Sequence, residues 1–142
     1  MKQYFTTQEL CHSDTAVAKH IDNTPTKEVE SNLKRLIDFL NPLREKWGSG
    51  IRINSGYRCP ALNKAVGGVA TSAHTTGNAV DLWPINNKFD DFCKFILNYL
   101  DATKSWDQCI IEQSGTSRWV HFGLFNNQGK QRKMKFEIKC QH

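Results

Sequence analysis

Between positions 26 and 47 apolar residues recur every three to four places. Val29, Leu33, Leu36, Ile37, Leu40, Leu43 and Trp47 fall on one side of a 3.6-residue repeat. That spacing predicts the main core helix, bent near Asn41 because Pro42 lacks a backbone donor, and ended by Gly48 and Gly50. A shorter helix is expected to begin at Thr6-Thr7-Gln8-Glu9, where threonine precedes glutamate at capping-box spacing, and to stop before Asn23-Thr24-Pro25. Phe89, Phe92, Cys93, Ile96, Leu97 and Leu100 repeat the helical period and predict an amphipathic helix over 87–100. Strands are expected over 51–54, 79–83, 106–112, 118–124 and 134–139. The stretch 55–78 is rich in glycine, serine and threonine, and only 60–66 within it looks helical. A long irregular segment flanked by strong strand signals in a small domain reads as ordered and functional. Helices come first and a mainly antiparallel sheet follows, which is an α+β pattern.

Length and composition narrow this to one domain over 1–142. The 142 residues are 39% hydrophobic, enough for one core, and no repeat or linker marks a boundary. With 23% charged and 11% aromatic residues the chain is not a disordered tail. No apolar run approaches the roughly 20 residues of a membrane span, so membrane insertion is not expected. Nor does a signal-peptide stretch follow Met1-Lys2-Gln3-Tyr4-Phe5, and synthesis in a bacterial cytoplasm is the expectation. The five cysteines are odd in number and lack a Cys-x-x-Cys pair, which argues against a disulfide framework or a cysteine zinc finger. Cys93 and Cys109 lie in apolar segments, where a thiol acts as a small hydrophobe.

Nineteen basic against fourteen acidic residues give +5. The excess lies in the second half, ending in Lys130, Arg132, Lys133, Lys135 and Lys139. Such a group suits an anionic polymer such as nucleic acid or a bacterial envelope, or is simply a solvated strand and loop. No nucleic-acid motif accompanies it, and no nucleic-acid partner is expected.

His74 and Asp81 are separated by six intervening residues, with Gly77 among them to let the chain return sharply into a strand. His121 sits on a later strand in Trp119-Val120-His121-Phe122. Two histidines and a carboxylate are a common ligand set for a catalytic zinc ion, which keeps a fourth position for water. By itself such a triple is a weak signal in a chain with five histidines. His12, His20 and His142 are not expected to be ligands, being far in sequence from the glycine-rich loop.

Longer motifs surround these residues. Ser55-Gly56-Tyr57-Arg58-Cys59-Pro60-Ala61-Leu62-Asn63, Val66-Gly67-Gly68-Val69, Ser72-Ala73-His74-Thr75-Thr76-Gly77-Asn78-Ala79-Val80-Asp81-Leu82 and Trp119-Val120-His121-Phe122 follow in order. This pattern closely resembles the zinc D-alanyl-D-alanine carboxypeptidase and peptidoglycan endopeptidase family, metallopeptidase family 15. Over residues 5–124 it resembles the family's short bacterial and phage members. The resemblance implies one zinc ion held by His74, Asp81 and His121, with Arg58 matching the family's arginine near the substrate. Arg58 is then expected to hold a substrate carboxylate or the developing oxyanion. Ser72 either hydrogen-bonds substrate or holds the loop. Trp119 and Trp83 either line the cleft or belong to the core. Cys59 lacks a histidine that the sequence places beside it, and relatives usually carry serine there.

Some relatives place an acidic base three residues before the last histidine, but this chain has Arg118 there, which cannot be deprotonated. Hairpin geometry offers Glu112 instead. With a two- or four-residue loop centred between Gly115 and Thr116, Glu112 faces Trp119 and Ile110 faces His121, so Glu112, Trp119 and His121 share one face. Cys109, Ile111, Val120 and Phe122 then form the apolar face. A three-residue loop would turn Glu112 inward.

The reading that follows is a monomeric zinc peptidase acting on peptidoglycan stem peptides, with Glu112 as general base. A phage or prophage lysis enzyme released through a holin-type pore accounts for an envelope substrate. The alternative is a non-enzymatic zinc-binding or wall-binding module that has lost its base.

Overall fold

The computed structural model describes residues 2–140. At its N-terminus the Thr6 hydroxyl accepts the Glu9 N–H and opens helix α1, Thr7–Cys11. Ser13 then accepts the Ala16 N–H and opens a second short helix, α2, Asp14–Ala18. The single helix expected here is therefore two, because a second cap restarts it. Thr26 caps the long helix α3, Lys27–Trp47, through the Val29 N–H at 3.2 Å. The chain stays helical through Pro42. Leu40 and Leu43 on either side are fully buried, and the Asn41 side chain bonds the Tyr4 N–H and Gln3. Tertiary packing thus holds the turn that lacks a donor.

After α3 come strand β1, Ile51–Ser55, helix α4, Pro60–Ala65, and a 3₁₀ turn, Ala73–Thr76, which the sequence pattern had not shown. Strand β2, Ala79–Pro84, helix α5, Phe89–Asp101, and strands β3, Gln108–Ser114, β4, Ser117–Gly123, and β5, Met134–Cys140, complete the chain. The strands form one sheet in the order β1-β2-β4-β3-β5. All neighbours are antiparallel except β3 and β5. The fold is α+β, as the pattern of elements predicts.

The helices pack on one face. Val80, Leu82, Cys109, Ile111, Val120 and Phe122 are buried there against Leu33, Leu36 and Leu40 of α3 and Phe92 and Ile96 of α5. Phe39 stacks on Phe122 at 5.0 Å, and Trp47 meets Phe92 edge-on at 5.1 Å. Each fully buried Leu or Phe contributes roughly 1.5–3 kcal/mol, so this face anchors the fold. Burial pushes the Cys93 thiol up to about 11 and the Cys109 thiol up to about 12, which makes both inert small hydrophobes.

Alternation along β2, β3 and β4 then sends Asp81, Ile110, Glu112, Trp119 and His121 to the opposite, open face. Near the C-terminus Arg132 bonds Asp107 and Lys135 bonds Asp101, so part of the basic group is neutralised within the fold.

Candidate metal centre and cleft

Asp81 on β2 stands directly opposite His121 on β4, which places both side chains on the open face. His74 arrives from the 3₁₀ turn, opened by Ser72, whose hydroxyl accepts the His74 N–H at 3.2 Å. Gly77 ends that turn at φ +75°, where a Cβ would sit only 3.1 Å from both Cγ1 and the carbonyl oxygen of Val29. Only glycine takes this backbone angle without cost and lets the loop rest on α3.

His74 is buried, and its Nδ1 lies 2.7 Å from the Gly56 carbonyl oxygen. A carbonyl only accepts, so Nδ1 carries a proton and Nε2 is the nitrogen left to serve as a metal ligand. That Nε2 is 3.3 Å from Asp81 Oδ1, and His121 Nδ1 is 3.1 Å from the same oxygen. The three ligand atoms lie within 4.8 Å of one another. A tetrahedral ion with bonds of about 2.1 Å needs ligand atoms about 3.4 Å apart, so the donor set fits such an ion. Burial opposes ionisation of Asp81, but His74 and His121 outweigh it by charge and hydrogen bonding. They hold its carboxyl well below the usual carboxylate range.

His12 is exposed and bonded to Asp14, and His20 follows α2. Neither joins the cluster of ligating groups found among the described residues. His142 lies outside the described residues.

The hairpin between β3 and β4 closes with the two residues Gly115 and Thr116, since Ser114 pairs with Ser117. Gly115 has φ +60°, the first loop position of a II′ turn that requires glycine. In this register Glu112 pairs with Trp119 and Ile110 with His121. Glu112 and His121 are diagonal neighbours, about 7 Å apart between α-carbons. The Glu112 carboxylate accepts the indole N–H of Trp119, so Trp119 orients Glu112 as well as lining the cleft. Arg118 lies on the other face, over the Phe89 ring and bonded to Asp90 at 2.9 Å. Residues three apart on a regular strand point oppositely, and Arg118 accordingly turns away from the ligands.

The Arg58 backbone N–H donates to the His74 carbonyl at 3.0 Å, which ties the arginine to the ligand loop. Its guanidinium donates to the Ser72 hydroxyl at 3.4 Å, and its Nε is buried with no partner among the described residues. Burial pulls the guanidinium pKa down, while Asp81 and Glu112 oppose this by charge. Ser72 therefore holds the loop and Arg58 together, with its O–H proton still available to a ligand. Trp83 shares the open face two residues beyond Asp81, but lines a neighbouring groove with Arg52 and Arg118 rather than this cleft. The Cys59 sulfur accepts the Leu62 N–H as the cap of α4.

Two positioning residues escaped the sequence reading. Asn23 donates to the carbonyls of Cys11 and Tyr57 and accepts the Cys59 N–H, fixing the Arg58 segment to α1. Asn127 donates to the carbonyls of Thr71 and Ser72 and accepts the Thr76 hydroxyl, clamping the loop that carries His74. No local pattern marks either one, because their partners lie 12 or more residues away. Together these side chains wall a cleft of about 490 Å³ with the glycine loop 66–69 as its rim.

A family model described as Peptidase M15 matches residues 3–122, a span that includes all three ligand candidates. The chain belongs to the peptidase M15 family. No curated protein matches the sequence. It is an M15 metallopeptidase with a candidate His-Asp-His metal site, and the family implies a peptidoglycan-related peptidase. Its outermost strand, β5, lies beyond the matched span.

Proposed function

We propose that the protein is a zinc-dependent peptidase that cuts stem-peptide bonds of bacterial peptidoglycan, with Glu112 as general base and Arg58 as oxyanion or carboxylate partner. The observation that carries this is the register that sets Glu112 beside the His74, Asp81 and His121 ligands in one cleft. When bound, zinc supplies Lewis acidity that lowers the pKa of water and polarises a carbonyl. Glu112 takes the proton of the attacking water and returns it to the leaving amine. Trp119 holds the carboxylate in place through its indole N–H. Arg58, fixed by Ser72 and partly stripped of water, meets the negative charge that develops on the carbonyl oxygen.

We also propose a lytic role of phage or prophage type, in which a cytoplasmic protein reaches the wall through a holin-type pore. The resemblance to short phage members and the net charge of +5, suited to an anionic envelope, support it.

Incubating purified protein with isolated peptidoglycan, with and without chelator, and weighing the released fragments tests the activity. Metal-dependent release of peptides is expected. Full zinc loading with no cleavage of any wall peptide would overturn it. For the lytic role, lysis of expressing cells is expected only with a co-expressed holin, and lysis without one would count against it.

A further inference from the structure

The open-face residues of β3, Gln108, Ile110, Glu112 and Ser114, all line the metal cleft. At about 3.4 Å per residue they span about 20 Å. His121 pairs with Ile110, so the ligands stand part-way along this line, with Glu112 and Ser114 to one side and Gln108 to the other. Beyond Gln108 lies a second cavity of about 360 Å³, which shares Gln108, Val69 and Ala73 with the first. The two form one trench that runs past the ligands.

The chemistry of the second cavity is neutral. Its one carboxylate, Asp107, accepts both Nε and Nη2 of Arg132, at 2.8 and 2.9 Å, and the Arg132 backbone N–H as well. The Asn127 carboxamide is spent on the His74 loop. Facing a ligand are the half-buried Gln108 carboxamide at the junction, the exposed Thr71 hydroxyl, and the exposed Gln128, whose Oε1 accepts the Asn126 carboxamide at 3.4 Å. A carboxamide offers one acceptor and two donors, the complement of a peptide group. Recognition of a free terminal carboxylate calls instead for an unpaired cation. Arg58 is the cation of the first cavity and does not line the second.

Building on the proposed function, we infer that the enzyme is an endopeptidase: its substrate peptide continues through the trench on both sides of the cut bond, and Gln108 holds a peptide group on the far side. A 20 Å trench accommodates about six extended residues. The enzyme then reads the interior of a peptide rather than its end.

The test uses zinc-loaded full-length protein and muramidase-released wall peptides, both uncrosslinked and crosslinked, with products weighed by mass spectrometry. Cleavage of an internal bond is expected. Gln108→Ala should raise KM at least about tenfold and Gln128→Ala about threefold, both at unchanged kcat, because neither residue takes part in proton transfer. Release of a single C-terminal amino acid as the sole product would overturn the inference while sustaining the peptidase. Unchanged KM in both variants would overturn the trench, and the Gln128 variant keeps this test valid if Gln108→Ala folds poorly. No hydrolysis of any peptide would instead overturn the underlying peptidase reading, and with it this inference.

Discussion

Replacing Glu112 by glutamine removes basicity and keeps shape. The amide oxygen of glutamine still accepts the Trp119 indole N–H that Glu112 accepts, so the side chain stays where β3 puts it. None of His74, Asp81 or His121 is altered, so metal content should hold at one ion per chain. The loss is then that of proton transfer alone, and a positioned general base contributes about 10²–10⁴-fold. Glu112→Gln should therefore lower the rate at least about a hundredfold, roughly 2.7 kcal/mol in the barrier. Trp119→Phe deletes only the donor. A hydrogen bond to a charged group is worth about 1.5–3 kcal/mol, so a loss of about ten- to a hundredfold in kcat is expected, with KM little changed. If Trp119 acts through Glu112, the double variant should be no slower than Glu112→Gln, because the two residues form one coupled unit. The assay is release of peptide from isolated wall material, with metal measured on the same samples. A Glu112→Gln enzyme with full metal and near wild-type rate would refute the base assignment, and additive losses in the double variant would refute the link to Trp119.

Asn127→Ala removes three hydrogen bonds to the loop of His74 and should weaken zinc affinity about tenfold in a competition titration, at unchanged far-ultraviolet circular dichroism. Gly77→Ala forces a Cβ against Val29 at a left-handed φ and should cost about 1–3 kcal/mol in urea denaturation. Asp107 is buried, which disfavours its charge, yet the hydrogen bonds and charge of Arg132 depress its pKa overall. A depressed carboxylate stabilises the fold above its unfolded pKa, near 3.9, and that contribution fades as pH falls through the lower folded value. Acid melting curves should show this loss in the wild type and a flatter dependence in Asp107→Asn.

Much of the fold was legible because one period governs each element. The apolar face of α3 and the alternation along β3 and β4 are dictated by burial on one side, and the hairpin register follows once the loop length is limited by Gly115. The meeting of Asp81 and His121 across neighbouring strands was implied by their motifs, but their pairing on β2 and β4 became visible only in the sheet. What stayed hidden depends on long-range contacts. The break between α1 and α2 rests on Ser13, a cap that propensity alone does not separate from a helix interior residue. The 3₁₀ turn under His74 is held by Ser72 from within and by Asn127 from 51 residues away. That Arg118 turns toward Asp90 depends on α5, which is brought to β4 from elsewhere in the chain. The Gln108 trench needs two loops that no periodicity brings together.

The most direct test of the central claim is a zinc titration of metal-stripped protein, following bound metal and peptide release from wall material on the same samples. The account predicts that activity rises linearly and stops at one zinc per chain, and that His121→Ala neither binds that equivalent nor gains activity. Full activity in the metal-stripped protein, or one tightly bound zinc in His121→Ala, would contradict it.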